Sequence, residues 1–329
     1  MLILDADAVR EALPMPLAIE AMRQAFEALS GGRAEQPPRT HLSIAPHDGV
    51  SLVMPAFVND DDAAKQALAV KVVSLYGRNA AAGLPRIQAT VLVFDPATGA
   101  LLALLDGTAL TAIRTAAASA AATDLLARPD SRVLAVFGAG PQARAHVAAI
   151  CAVRPIDVVR CYSRSREKAD AMCAALSVEA GGRNIVAVSS PAEALADADI
   201  VVTATTSSTP VFDDADLRAG VHINAIGSYK PEVCEIPPET VARAMVVVDS
   251  RAAAWEEAGD LIQPLRAGLI GPGQIHAELG EILLGLRSGR EDDAAVTLFK
   301  SVGVAIQDAV AARHAVQAAR RFHLGKEVG

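Results

Sequence analysis

Aromatic residues make up only 3 % of this chain, although apolar residues as a whole reach 52 %. Its cores must therefore be filled by Ala, Val, Leu and Ile, which suits helices packed closely on sheets. Cysteine is scarce as well. Cys151, Cys161, Cys173 and Cys234 form no Cys-x-x-Cys pair, and buried free thiols in a reducing cytoplasm are the expectation. The seven histidines offer no zinc spacing, so no metal is expected. No apolar run approaches the ~20 residues of a membrane span. Asp5 and Asp7 stand where a secretion leader would need a basic stretch. A one-sided charge is missing too. The net charge is −8 with both signs interspersed, which favours neither nucleic acid nor a membrane as a partner. For 329 residues, a cytoplasmic protein of two domains is expected.

What is present falls into two textures. Leu17–Leu29 repeats apolar residues at helical spacing and stops at Ser30-Gly31-Gly32. Thr40–Ile44, Val50–Met54 and Leu68–Leu75 read as strands, and Thr90–Phe94, the turn Asp95–Gly99 and Ala100–Leu105 read as a hairpin. This part is a mostly antiparallel sheet with one leading helix. An alanine-rich helix follows from about Thr108 to Ala127. From Arg132 onward strands alternate with helices: Val133–Phe137, Val158–Cys161, Ile185–Val188, Ile200–Thr203, His222–Ile226 and Met245–Val248. That alternation predicts an α/β fold with a parallel, doubly wound Rossmann-type sheet. Thr297–Lys300 and a helix over Val304–Arg321 close the chain.

The strand Val133–Phe137 runs straight into Gly138-Ala139-Gly140-Pro141-Gln142-Ala143 and then a helix. Gly138 allows a tight turn, Gly140 lets the backbone approach a pyrophosphate, and Ala143 lets the helix pack close to the sheet. The helix N-terminus would then face the anion. The next strand ends in Ser163-Arg164-Ser165-Arg166, with no acid to hold a ribose 2′-hydroxyl. A guanidinium can instead pair with a 2′-phosphate. NADP is the expected cofactor, with NAD as a further possibility.

Two charges are out of place in apolar elements. Lys71 lies in the middle of the strand Leu68–Leu75, where an ammonium needs a partner or a way out to solvent. Arg114 is the only basic residue between Ile87 and Ala127, near the start of a helix whose dipole opposes it. An anion is expected beside it: a substrate carboxylate, a cofactor phosphate, or an internal acid such as Asp106. Arg39 follows two prolines and leads into a strand.

With these residues in view, the chain resembles the ornithine cyclodeaminase/mu-crystallin family over nearly its whole length. The resemblance rests on Pro38-Arg39-Thr40, Met54-Pro55-Ala56, Val70–Val73, Thr111–Ser119, the Gly138–Ala143 turn, Ala277–Glu281 and Phe299–Gly303. It implies a discontinuous substrate and dimerisation domain, residues 1–125 with 305–329, and a dinucleotide-binding domain inserted between them at 126–304. It implies a homodimer, and a carboxylate site made by Arg39, Lys71 and Arg114 with Met54 and Tyr229 nearby. Ser301 and Val302 would lie by the nicotinamide, and Thr205, Thr206 and Ser207 would pass over the cofactor.

The family includes cyclodeaminases, alanine dehydrogenases, ketimine reductases and hormone-binding crystallins. In the ornithine cyclodeaminases the place of Tyr229 is held by an aspartate that handles the distal amine; a phenol, neutral at pH 7, cannot attract that ammonium. The expectation is therefore reduction of a small cyclic imino acid, Δ1-pyrroline-2-carboxylate or Δ1-piperideine-2-carboxylate, to L-proline or L-pipecolate. The alternatives are a cyclodeaminase, an amino-acid dehydrogenase, or a non-catalytic NADPH-dependent binding protein.

Overall fold

The computed structural model describes residues 1–178 and 181–329. The chain opens with β1 (Leu2–Leu4), α1 (Ala6–Ala12), α2 (Met15–Ser30), β2 (Ala34–Glu35) and β3 (Thr40–Ile44). It continues through β4 (Gly49–Val58), β5 (Ala67–Tyr76), β6 (Ile87–Phe94), β7 (Leu101–Asp106) and α3 (Gly107–Leu126). Then come β8 (Val133–Phe137), α4 (Pro141–Val153), β9 (Val158–Tyr162), α5 (Arg166–Ser177), β10 (Asn184–Ala187), α6 (Pro191–Leu195) and β11 (Ile200–Thr203). β12 (His222–Ala225), α7 (Pro238–Arg243), β13 (Met245–Val248), α8 (Arg251–Glu257) and α9 (Gly259–Arg266) follow. The last elements are β14 (Ile275–Glu278), α10 (Leu279–Leu283), β15 (Thr297–Lys300), α11 (Ala305–Phe322) and β16 (Lys326–Glu327).

Two compact units result. The first is discontinuous, Met1–Thr115 with Val304–Gly329, and the second is Ala116–Gly303. The first unit carries a mixed sheet in the order β16-β1-β7-β6-β5-β4-β2, with β3 pairing β4. β3 to β7 pair antiparallel, while β1 joins β7 in parallel. β1 and α1 were not foreseen from the sequence; Asp5 separates them, its carboxylate accepting from the Ala8 N–H at 2.9 Å as the helix cap. α2 and α11 pack together, and α11 lies on β4 and β5. Alternation explains which face they cover. Ala67, Ala69, Lys71 and Val73 of β5 point inward, whereas Val72 is exposed. Alanine at positions 305, 309, 311, 312, 315 and 319 of α11 lets the helix approach closely.

The second unit is one all-parallel sheet in the order β10-β9-β8-β11-β12-β15-β13-β14. Crossovers run to one side from β8 through β10 and to the other from β11, so the order reverses between β8 and β11, where ligands of such sheets bind. The doubly wound α/β reading of the sequence is what the structure has, with eight strands where the sequence suggested six and a closing segment. Both faces are covered, and β11, β12 and β15 are buried throughout. Cys161, Cys173 and Cys234 are free and buried, while Cys151 is only half-buried. Among the described residues no helix is long and apolar enough to cross a membrane.

Candidate active site

In the first unit, Lys71 and Arg114 meet a residue that the sequence reading did not single out. Lys71 Nζ lies 2.6 Å from Asp308 Oδ2, and Arg114 Nε donates to Asp308 Oδ1 at 3.0 Å. Exposure is 3 % for Lys71, 5 % for Arg114 and 1 % for Asp308, so the cluster is a desolvated one. Arg114 Nη1 also donates to Gln307 Oε1 at 2.8 Å, and that oxygen accepts from the Val304 N–H at 3.0 Å. Arg114 Nη2 has no hydrogen bond among the described residues. The acid suggested as an internal partner, Asp106, serves elsewhere: it accepts from the Ala109 N–H at 2.7 Å and starts α3.

The sheet fixes Lys71. Met54 sits directly across from it on β4 and Val91 on β6, so both its neighbours on the inner face are apolar. Arg39, half-buried, lies in the segment leading into β3 and close enough to act on Lys71 electrostatically. Burial pushes the Lys71 ammonium down to about 8, against the pull of Asp308 and with help from Arg114 and Arg39. For Asp308 burial works to raise the pKa, but Arg114 and Lys71 together outweigh it and hold the carboxyl below its ordinary value.

In the second unit, the remaining predicted residues gather along the carboxyl edge of the parallel strands. Gly138 follows β8 with φ +117, and a Cβ there would lie 2.5 Å from the Ala204 carbonyl oxygen, so only glycine fits. A Cβ on Gly140 would meet nothing within 4 Å, which leaves room in front of the turn. Ala143 is buried, and its Cβ is 3.7 Å from the Gly138 Cβ position. Pro141 opens α4, and the first-turn N–H groups of Gln142 and Ala143 have no helical acceptor. The turn, the open space before it and the unspent donors fit a dinucleotide pyrophosphate.

At the tip of β9, Ser163 Oγ accepts from the Ser165 N–H at 3.3 Å. Arg166 is engaged along its own helix, with Nε 2.9 Å from Asp170 Oδ1 and Nη1 donating to Ser189. Arg164 is exposed. The loop after β11 is held by Glu235, which accepts from Thr203 Oγ1 at 3.0 Å, the Thr205 N–H at 2.7 Å and the Gly227 N–H at 2.7 Å. Thr205 Oγ1 accepts in turn from the Ser207 N–H, and Thr206 is exposed. Tyr229, in the loop after β12, is 40 % exposed, with Lys230 Nζ 5.9 Å from its ring centroid.

Ser301 and Val302 are bound to a second unforeseen acid. One oxygen of Asp249 accepts from Ser301 Oγ at 2.8 Å, the Val302 N–H at 2.9 Å and the Gly303 N–H at 2.7 Å. Full burial raises the Asp249 pKa, those donors notwithstanding. Behind the loops, Lys300 and Asp260 form an ion pair at 2.8 Å with both side chains fully buried. Lys300 Nζ donates to the Ser228 carbonyl at 2.5 Å, and Asp260 Oδ1 accepts from the Glu235 N–H at 2.6 Å. The ends of β11, β12 and β15 are thus tied into one hydrogen-bonded frame.

The ornithine cyclodeaminase/mu-crystallin family model matches residues 1–321, and the chain belongs to that family. A Δ1-pyrroline-2-carboxylate reductase of Bacillus cereus is 40 % identical over 329 residues, which is 100 % of this chain and 99 % of the relative. Ketimine reductase mu-crystallin of Mus musculus is 37 % identical over 295 residues, 90 % of this chain and 88 % of the relative. Among solved structures, the Δ1-pyrroline-2-carboxylate reductase of Thermococcus litoralis, in complex with NADH and L-proline, superposes with a TM-score of 0.94 at 41 % identity, covering 100 % of both chains.

Proposed function

We propose that this chain is a nicotinamide-dependent reductase of small cyclic 2-imino carboxylates, with Δ1-pyrroline-2-carboxylate or Δ1-piperideine-2-carboxylate as substrate and L-proline or L-pipecolate as product. One observation carries the reading: a buried lysine and arginine share a single carboxylate, in a chain 40 % identical over its whole length to a pyrroline-2-carboxylate reductase. Arg114 has its Nη2 end left to give, and with Arg39 it clamps the substrate carboxylate. Met54, on β4 directly across from Lys71, borders the ring. An ammonium held at about 8 is still mostly protonated at neutral pH, yet gives up its proton more readily than an exposed lysine. The Lys71 proton passes to the imine nitrogen, which leaves the ring carbon electrophilic, and Lys71 recovers a proton from solvent. When bound, the nicotinamide supplies the hydride that completes the reduction.

The cofactor is NADPH in this proposal. Gly138, Ala139, Gly140, Pro141, Gln142 and Ala143 hold the pyrophosphate, and Ser163 and Arg164 take the 2′-phosphate. Arg166, paired with Asp170, shapes the tip rather than grasping the ligand. Thr205, Thr206, Ser207, Ser301 and Val302 line the nicotinamide side. The working form is a homodimer. The outer face of the first unit's sheet sets Val53 and Val72 side by side, flanked by Pro55, Val70 and Leu92, an apolar stretch that a second copy would cover.

The test is NADPH and NADH oxidation by the purified protein, offered cyclic 2-imino acids and, separately, 2-keto acids with ammonia or methylamine. Turnover is expected with the cyclic imines. Ammonia release from L-ornithine at a comparable rate is not expected, because Tyr229 stands where a carboxylate for the δ-ammonium would be needed. Fast ornithine deamination, or turnover confined to keto acids, would overturn the reading.

A further inference from the structure

Asp308 is the only acid in α11, and its two oxygens are divided between two cations, Oδ1 to Arg114 and Oδ2 to Lys71. A carboxylate held at both oxygens and 1 % exposed has no freedom to rotate, so it sets the spacing and direction of the two cations relative to each other. It lies in the first turn of α11, where the helix dipole favours an anion. The neighbouring Gln307 fixes the same guanidinium through Nη1. Arg114 is thus held along one edge, with its Nη2 end left over.

We infer that Asp308 is the positioning residue of the site: it aims Arg114 at the substrate carboxylate and Lys71 at the imine nitrogen, and keeps Lys71 in the proton-donating form. This rests on the imino-acid reading above. The charged groups acting on Lys71 are Asp308 from α11, Arg114 from α3 and Arg39 from the segment before β3, while β4 and β6 present Met54 and Val91. Burial and both arginines push Lys71 toward the neutral amine, and Asp308 opposes them. Without it the ammonium would be lost at a lower pH.

The experiment follows kcat and KM for Δ1-pyrroline-2-carboxylate from acid to alkaline pH in the wild type, Asp308→Asn and Asp308→Glu. Binding of pyrrole-2-carboxylate, a planar carboxylate with no imine to reduce, is titrated in parallel. Wild-type kcat should fall on the alkaline side as Lys71 deprotonates near pH 8. In Asp308→Asn that limb should move down by about one pH unit or more, and kcat should fall by roughly a hundredfold. Asp308→Glu keeps the charge but displaces it, so the limb should stay and kcat should still fall by roughly tenfold. A purely structural residue would lower thermal stability and leave the limb where it was; an unmoved limb in Asp308→Asn overturns the inference. If that variant does not fold, wild-type kcat in Asp308→Glu overturns it. If the wild type reduces no cyclic imine, the imino-acid reading fails by itself. The inference is then decided by whether Asp308→Asn loses the affinity for pyrrole-2-carboxylate at a lower pH than the wild type.

Discussion

Arg164 and Arg166 stand two residues apart at the tip of β9, and the sequence offers no means to rank them. The structure does. Arg166 is paired with Asp170 and Ser189, and Arg164, exposed at the tip, is therefore the guanidinium proposed for a 2′-phosphate. Arg164→Ala should weaken NADPH by about 1.5–3 kcal/mol, roughly ten- to a hundredfold, and leave NADH nearly unchanged. Fluorescence titration with both cofactors measures this, and an equal loss for the two would remove Arg164 from that role. Lys71 and Arg114 were legible because each is the only cation in an apolar element. Asp308 shares α11 with Arg313, Arg320 and Arg321, so that criterion passes it over, although it is the only acid of the helix. What the sequence could not show is the pairing, since Asp308 is separated from Lys71 by more than two hundred residues and Asp106 is the nearer acid on the page.

At the scale of elements, β8, β11 and β13 span the residues that their apolar runs predicted, because buried parallel strands are apolar on both faces. β1, β14 and α1 escaped notice for the opposite reason. They are three, four and seven residues long, too short for a period to declare itself, and only pairing with β7 or β13 makes strands of the first two. The frame behind the cofactor loops was equally hidden, since nothing local to Lys300 indicates that its partner is Asp260. Removing one member of such a buried pair is costly. Asp260→Asn should lower stability by about 3–5 kcal/mol, whereas Asp260→Asn with Lys300→Met should cost less, because no charge is left stranded and the amide oxygen still accepts from the Glu235 and Ile236 N–H groups. Urea unfolding of the two variants decides; equal losses would mean that the ion pair is not the source.

For the whole molecule, the apolar outer face of the first sheet is the feature that one copy alone leaves unexplained. Val72 and Val53 are neighbours across β4 and β5 and are 36 % and 37 % exposed. Val72→Asp would place a charge in the middle of that face, and it should convert a dimer into monomers in light scattering without loss of the circular-dichroism signal. A wild type that is already monomeric would remove the dimer from the proposal.

The discontinuity of the first unit has a consequence in time. Its two pieces are separated by the 188 residues from Ala116 to Gly303, which a ribosome takes roughly 10–40 s to add at 5–20 residues per second. During that interval Lys71 and Arg114 have been synthesised and Asp308 has not. The second unit is complete in sequence before the first one is, so the nascent chain can own a finished cofactor fold while its two cations still lack their counter-ion. The stretch after Gly303 supplies it, and a chain cut short before Asp308 has every glycine of the turn after β8 but lacks the carboxylate that Lys71 and Arg114 share.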